Sequence, residues 1–167
     1  MKFILRLFPE ISIKSRPVRN RLTRQVRQNL VNTCNHHGIN VNAYAQWDKV
    51  IADFGEETAE SRVEAVRELS RLPGIHSFLE VKEYPFESLN DLFEKIQVEL
   101  MPRISGHTFA VRVRRRGSHE FTSQQAERII GGTFKAASGS TVNLDDPDVT
   151  VHNEIENNRA YVTGERM

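Results

Sequence analysis

Residues 2–8 read KFILRLF, a run of large apolar side chains that only Arg6 interrupts. Its length and composition predict a strand that is buried on both faces. Pro9 ends the run, and from Ser15 onward apolar residues recur at every fourth position up to a stop at Gly38. That spacing predicts an amphipathic helix. Its apolar stripe consists of Val18, Leu22, Val26, Leu30 and Cys34.

The segments that follow complete a first domain. Residues 40–45 and 50–54 predict an antiparallel hairpin, and residues 75–81 predict a fourth strand. Between them, residues 59–72 predict a second helix with its apolar side at Val63, Val66, Leu69 and Leu72. The order strand, helix, strand, strand, helix, strand is that of ferredoxin-like domains, in which two helices cover a four-stranded antiparallel sheet. We expect such a domain over residues 1–80.

A second domain is expected over residues 81–167. Ser88-x-x-Asp91 and Thr122-x-x-Gln125 each resemble a capping box that opens a helix, and Gly131-Gly132 is expected to disturb the second helix. Residues 108–116 alternate between apolar and arginine side chains, which predicts a strand. Further strands are expected at residues 142–144, 149–155 and 160–163. The fold class is therefore α+β, with an α/β second domain.

The charge of the chain is unevenly distributed. The net charge is +1, but residues 1–33 carry +7, residues 34–100 carry −7, residues 101–135 carry +5 and the remainder carries −4. Two basic blocks suggest an anionic partner, most commonly a nucleic acid, although basic helix faces are often only solvated. No segment is apolar over the roughly twenty residues that span a bilayer, so we predict no membrane partner and a cytoplasmic location.

The sequence contains none of the common enzyme motifs, so no catalytic residue is predicted. Cys34 lies beside His36 and His37, but its place on the apolar stripe favours a buried structural cysteine. The six histidines show no ligand spacing, and no metal site is predicted.

The arginines near residue 114 are the strongest candidates for binding. Strand alternation places Arg112, Arg114 and Arg116 on one face, roughly 6.6 Å apart at two-residue steps. Guanidinium groups bind phosphate oxygens bidentately and stack on bases. The helix after Thr122 is expected to aim its N-terminal amides at the same place. The alternative is a set of surface salt bridges with the acidic segments.

Four segments, in order, resemble the N-terminal part of the tRNA 4-thiouridine synthetases, or tRNA sulfurtransferases, which are also linked to thiamine thiazole biosynthesis (the ThiI family). They are residues 2–15 (KFILRLFPEISIKS), 72–81 (LPGIHSFLEV), 108–119 (TFAVRVRRRGSH) and 146–152 (DPDVTVH). The resemblance implies a ferredoxin-like domain followed by a THUMP domain, a module that holds the acceptor stem and single-stranded 3′ CCA end of tRNA. It also implies that the ATP-pyrophosphatase domain, with an S-G-G-x-D-S loop, follows this region; that loop does not occur in these 167 residues.

The resemblance implies that tRNA binding and catalysis belong to different parts of the complete protein. The complete protein is expected to use ATP and Mg²⁺ to form 4-thiouridine at position eight of tRNA, with sulfur from a cysteine desulfurase, while this chain holds the tRNA. A homodimer is left open. Phe121 is either a stacking platform or a core residue, and Gly131-Gly132 either lets RNA approach or packs helix on sheet. The residues expected to contact RNA are Arg112, Arg114, Arg115, Arg116, His119, Lys14, Arg16, Arg19, Arg21 and Arg24.

Two alternative functions for this chain remain open. A THUMP module of another tRNA-modifying enzyme, such as a methyltransferase or pseudouridine synthase, would share the second domain, but the segment at residues 2–15 argues against it. An acylphosphatase-like hydrolase would need glycines around an exposed arginine after the first strand, where this chain has Pro9-Glu10-Ile11-Ser12.

Overall fold

The chain folds into two units in the computed structural model, which describes residues 1–55 and 57–166. The first unit comprises Met1–Val81 together with the segment that begins at Gly164, and the second comprises Lys82–Thr163. Each unit has its own cluster of buried apolar side chains.

The first unit has the ferredoxin-like arrangement that the sequence predicts. The elements are β1 (Lys2–Leu7), α1 (Pro9–Ser12), α2 (Arg16–His36), β2 (Asn42–Gln46), β3 (Lys49–Asp53), α3 (Ala59–Arg71) and β4 (Ile75–Pro85). The strands follow the order β2-β3-β1-β4, and every neighbouring pair in that order is antiparallel. The two long helices fall between strands as expected, and the short helix α1 after the first strand was not predicted.

The first strand forms the centre of this unit, as its composition predicts. Phe3, Ile4 and Leu5 are fully buried. The ring of Phe3 meets those of Phe54 and Phe78 edge to face, with centroids 5.8 and 6.0 Å away. Such pairs add about 0.5–1.5 kcal/mol each to the stabilisation from burial alone. The predicted stripe of α2 packs on this core through its buried members Val26, Leu30 and Cys34.

Three of the four predicted apolar positions of this second helix, α3, contact the core, because Leu69 and Leu72 are buried and Val66 packs against the buried cluster. Val63 is 67% exposed, whereas Ala65, Glu68 and Leu69 are buried. Positions separated by three or four residues share a helix face, so a face set by Ala65, Glu68 and Leu69 leaves Val63 about 200° away from Ala65. The prediction is therefore wrong at Val63, and it did not include the buried carboxylate of Glu68.

The second unit combines helices with a mixed sheet, in agreement with the predicted α/β domain. Strands β5 and β6 pair in parallel, and β6 and β7 pair antiparallel. The apolar side of β5 packs on α5, where the ring of Phe134 lies 6.3 Å from that of Phe109. The elements are α4 (Leu89–Ile104), β5 (Phe109–Arg116), α5 (Ser123–Ser138), β6 (Val149–Glu156) and β7 (Arg159–Arg166).

Helix α5 continues through Gly131-Gly132, contrary to the expected disturbance. Thr122 and Gln125 form the predicted capping box at its start, and Gly139, with φ of 70°, ends it. Glycine weakens a helix without forbidding it, and burial of Ile130 and Phe134 offsets that cost. The strand expected at residues 142–144 is reduced to one isolated bridge between Val142 and Phe109.

Candidate nucleic-acid interface

Strand β5 presents its arginines as alternation predicts. Phe109, Val111 and Val113 are buried against the helices, while Arg114 and Arg116 are exposed on the opposite face. The backbone amide of Val113 donates to the carboxylate of Glu127, at 2.8 Å. That bond holds α5 against the strand that carries the arginines.

The parallel pairing of β5 and β6 places other ionisable residues beside the arginines. Arg112, Arg114 and Arg116 stand in register with His152, Glu154 and Glu156. Residues in register share a face of the sheet, so carboxylates adjoin the guanidinium groups. The sequence could not show this, because the two segments are forty positions apart.

The three arginines of this face are engaged to different extents. The guanidinium of Arg112 donates to the carbonyl of Leu144 at 2.5 Å and is half-buried. Arg114 is exposed, and its side chain makes no hydrogen bond or ion pair with another residue of the described chain. Of the group, Arg114 is therefore the side chain most available to a phosphate.

Arg115 lies on the other face and serves a different purpose. Its Nη1 donates to the carbonyl of Gly117 and approaches Nδ1 of His119, both at 3.4 Å. The Nε2 atom of His119 lies 2.7 Å from the carbonyl oxygen of Asn157. A carbonyl only accepts and a guanidinium only donates, so the His119 ring carries its proton on Nε2 and accepts on Nδ1. The loop after β5 is thereby tied to the turn between β6 and β7.

Gly117 is needed for this junction. Its φ of 92° is favourable only for glycine, and a Cβ atom there would lie 2.5 Å from Oδ1 of Asn157. The backbone amide of Asn157 in turn donates to the carbonyl of Arg116, at 3.3 Å. The end of β5 and the β6–β7 turn are thus in close backbone contact.

A cavity of about 540 Å³ opens at this junction. The rings of His119 and Phe121 lie with centroids 5.0 Å apart beside it. Phe121 packs against the core as well as lining the cavity, so both of its predicted roles are compatible. Apolar rings and amide groups together suit a flat heteroaromatic group with polar edges. The lining residues are Phe86, Glu87, Ser88, Leu89, Asn90, His119, Glu120, Phe121, Ile129, Asn157 and Asn158.

The capping box of α5 occupies two of the amides at the start of the helix. The amides of Thr122 and Gln125 are bonded within it, at 2.7 and 3.2 Å, so these two are not donors to a phosphate. The amides of Ser123 and Gln124 lie outside the box, and an anion contact at this end of the helix stays a prediction. A Cβ atom on Gly131 would make an ordinary contact with Val111 at 3.7 Å, and one on Gly132 would meet nothing within 4 Å. Sequence reasoning interpreted Asn157 and Asn158 only as a turn and missed them as lining residues.

The basic residues of the first unit do not form one group. Lys14, Arg16, Arg21 and Arg24 are exposed, and within the described residues their side chains make no hydrogen bond or ion pair. Arg19 is half-buried: its Nη1 donates to the carbonyl of Ser12 at 3.3 Å, and its guanidinium lies over the ring of Trp47.

The cysteine is structural, as the sequence predicts. Cys34 is fully buried, and burial, assisted by the negative charge of Glu68, raises the pKa of its thiol to about 11. The carboxylate of Glu68 accepts hydrogen bonds from Nδ1 of His37 at 3.0 Å and Nε of Arg67 at 3.1 Å. Burial alone would raise the pKa of Glu68, but these two bonds and the charges of their donors outweigh it and hold the pKa below its ordinary value.

Among residues 1–55 and 57–166, no three His, Cys, Asp or Glu side chains are grouped so that they could hold a metal ion. In the same part of the chain, no helix has the length and apolar character that crossing a bilayer requires.

Known proteins resemble this chain over nearly all its length. Residues 86–165 match the THUMP domain family. The tRNA sulfurtransferase of Histophilus somni (strain 129Pt) is 43% identical over 160 residues, which cover 95% of this chain and 33% of that protein. The chain therefore spans about a third of the length of the curated relatives it matches.

Solved structures share the fold. PH1313 from Pyrococcus horikoshii Ot3 superposes with a TM-score of 0.81 at 20% identity, over 99% of this chain and 54% of that one. A 4-thiouridine synthetase in complex with RNA and bound ATP superposes with a TM-score of 0.68 at 15% identity, over 99% of this chain and 41% of that one.

Proposed function

We propose that this chain, which is similar to the N-terminal third of the tRNA sulfurtransferases and matches the THUMP domain family over residues 86–165, binds tRNA by the acceptor stem and 3′ CCA end. In this proposal it positions the substrate for a catalytic ATP-pyrophosphatase domain elsewhere in the parent protein. The product is 4-thiouridine at position eight of tRNA, and the same parent contributes to thiamine thiazole formation. The parent works in the cytoplasm.

ATP, Mg²⁺ and the sulfur donor belong to that other part of the parent. The S-G-G-x-D-S loop does not occur in this chain, and the described residues offer no grouped metal ligands. The residues present therefore do not fit these groups, and we assign them no step in adenylation or sulfur transfer. A cysteine desulfurase is proposed as the donor to the parent, and a homodimer is a further proposal that does not affect the binding site.

One observation carries the proposal: the cavity and the exposed arginines share one end of β5. Arg116 is bonded through its backbone to Asn157, and Arg115 contacts His119; both of these partners line the cavity. Arg114 lies two residues before this end of β5, on the sheet face opposite the helices, so a phosphate that it holds lies on the other side of the strand from the cavity. This arrangement suits a nucleic acid in which a charged backbone adjoins an unpaired base.

The chemistry of the cavity favours a single-stranded end over a duplex. Bases in a duplex are stacked on each other and expose only their edges, whereas the bases of a single-stranded end can stack on aromatic rings. His119 and Phe121 supply such rings, and the amides of Asn157 and Asn158 can bond to base edges. The exposed guanidinium of Arg114 supplies a contact to the backbone that does not depend on sequence.

The test is binding of the chain to an acceptor-stem RNA with and without its 3′ CCA end, over a salt series. Removal of CCA is expected to weaken binding by about tenfold or more, because stacking contributes about 1–3 kcal/mol per base. The variant Arg114→Gln is expected to weaken binding to both RNAs alike and to reduce the salt slope by about one unit.

Arg103→Gln is the matched control, since Arg103 is also exposed but lies at the far end of α4 from the cavity. It is expected to change the salt slope less than Arg114→Gln does. Equal, weak binding of the two RNAs would refute the proposed grip on the 3′ end.

A further inference from the structure

The β2–β3 turn of the first unit carries the only tryptophan in the chain. Trp47 is 59% exposed and lies outside the buried cluster of its unit. A large aromatic side chain stabilises a fold most when it is buried, but more than half of the surface of Trp47 is exposed to solvent. Its position is therefore not explained by the core of the unit.

The backbone at Trp47 is in a conformation that disfavours a large side chain. Gln46 and Lys49 are paired, so Trp47 and Asp48 form a two-residue hairpin turn. The φ of Trp47 is 37°, in the left-handed region, where such turns usually carry glycine or asparagine. Backbone strain of this kind persists where the surrounding structure holds it, and it is concentrated at functional positions.

Contacts from α2 hold the residue in place. The single hydrogen of the Thr23 hydroxyl is shared between two carbonyl oxygens, that of Arg19 at 2.9 Å and that of Trp47 at 3.2 Å. The guanidinium carbon of Arg19 lies 4.2 Å from the centre of the indole ring, and Nη1 of Arg19 is itself bonded to Ser12. One face of the ring is thus backed by a fixed cation.

The positive charge around this ring favours an anionic occupant. Arg16 precedes Arg19 by one helical turn, Lys14 lies just before the helix, and both are exposed. Neither side chain makes an ion pair within the described residues. The one acidic residue of the turn, Asp48, is half-buried. Residues 1–33 contain eight basic side chains and one acidic side chain.

We propose that Trp47, backed by Arg19, is a platform on which an unpaired base of the bound RNA stacks, with the adjoining phosphates held by Lys14 and Arg16. Indole rings stack on any base, and a neighbouring arginine adds a cation–π contribution. The residues of this site lie in the first unit, whereas those that line the cavity lie in the second. The inference rests on the proposed function, since it requires that the chain binds RNA.

Trp47 is its own reporter, because every change in tryptophan emission comes from this residue. The experiment titrates the chain with a dye-labelled tRNA transcript and follows both the anisotropy of the dye and the emission of Trp47. Stacking is expected to quench the emission in parallel with the rise in anisotropy. A dye-labelled blunt RNA duplex without unpaired nucleotides is expected to bind through phosphate contacts. The anisotropy of its dye then rises, while the emission of Trp47 stays unchanged.

Two variants sharpen the test. Trp47→Leu is expected to weaken tRNA binding by about tenfold, whereas Trp47→Phe, which keeps a stacking ring, loses much less. Tyr44→Leu is the matched control, since Tyr44 is a 52% exposed aromatic residue on the same hairpin without an arginine over its ring in the described chain. Thermal unfolding checks that the variants fold; if Trp47→Leu does not, the emission of the unaltered chain still decides the matter.

The outcomes separate the two proposals. A rise in anisotropy with no change in Trp47 emission would overturn the platform and leave the proposed function standing. Equal quenching by a polyglutamate peptide would also overturn it, in favour of an acidic protein partner. No rise in anisotropy with tRNA would overturn both.

Discussion

Removal of the buried carboxylate of Glu68 is expected to lower the free energy of unfolding. Its side chain is 2% exposed and accepts hydrogen bonds from His37, the residue just after α2, and from Arg67 on its own helix. Hydrogen bonds to a charged group contribute about 1.5–3 kcal/mol each. The donors are 43% and 47% exposed, so water replaces much of each bond when it is lost. We therefore expect Glu68→Gln to lower the free energy of unfolding by about 1–2 kcal/mol at neutral pH.

The pH dependence of this loss identifies its cause. The pKa of Glu68 in the folded chain lies below its ordinary value of 4.5. A carboxyl with a lowered pKa stabilises the fold fully above the unfolded-state pKa, and the contribution disappears as the pH falls through the folded-state pKa. The stability difference between the original chain and Glu68→Gln should therefore shrink as the pH falls below about 4.5.

Urea denaturation at a series of pH values measures this difference. Glu64→Gln is the matched control, because Glu64 is an exposed glutamate on the same helix. It is expected to change stability by less than about 0.5 kcal/mol. A difference for Glu68→Gln that stays the same from neutral pH into the acid range would refute the argument, since the ionised carboxylate would then not be its source.

Three further predictions concern other positions. His119→Ala is expected to weaken binding of a CCA-ended RNA by about tenfold and to leave binding of the trimmed RNA nearly unchanged, as measured by anisotropy; an equal loss for both RNAs would contradict stacking in the cavity. Gly117→Ala is expected to lower the free energy of unfolding by about 1–3 kcal/mol in urea, because a φ of 92° and a clash with Asn157 both oppose a side chain; unaltered stability would show that the junction can relax. Cys34, with a pKa of about 11, is expected not to react with a thiol reagent at neutral pH until the chain is unfolded, and rapid labelling of the folded chain would count against its burial.

The fold was predictable because its main signals are local. The composition of residues 2–8 predicted the fully buried β1, and alternation along residues 108–116 predicted which side of β5 carries arginines. The same local spacing predicted Val66, Leu69 and Leu72 of α3 correctly, but it also included the exposed Val63 and left out the buried Glu68. The carboxylate of Glu68 is stabilised by His37, which lies thirty-one positions away, and no local pattern contains that information.

The candidate site was predictable only in part, because it is assembled from distant segments. The RNA contacts assigned to Arg112, Arg114, Arg115, Arg116, His119, Lys14, Arg16, Arg19, Arg21 and Arg24 stay predictions, but the structure shows how differently these residues are placed. Arg114 is open to solvent, whereas Arg115 and Arg19 already bond to backbone carbonyls. The cavity exists because the β6–β7 turn meets the end of β5, which the sequence gives no means to foresee.

The hydrogen bonds of His119 limit what that residue can contribute. Both ring nitrogens are occupied, one by the carbonyl of Asn157 and the other by the guanidinium of Arg115. The imidazole therefore has neither a donor nor an acceptor left for the edge of a base, and it can discriminate by shape alone. A terminal adenosine replaced by guanosine should be tolerated at this ring, so any selectivity for the identity of the last nucleotide has to come from the amides of the neighbouring turn.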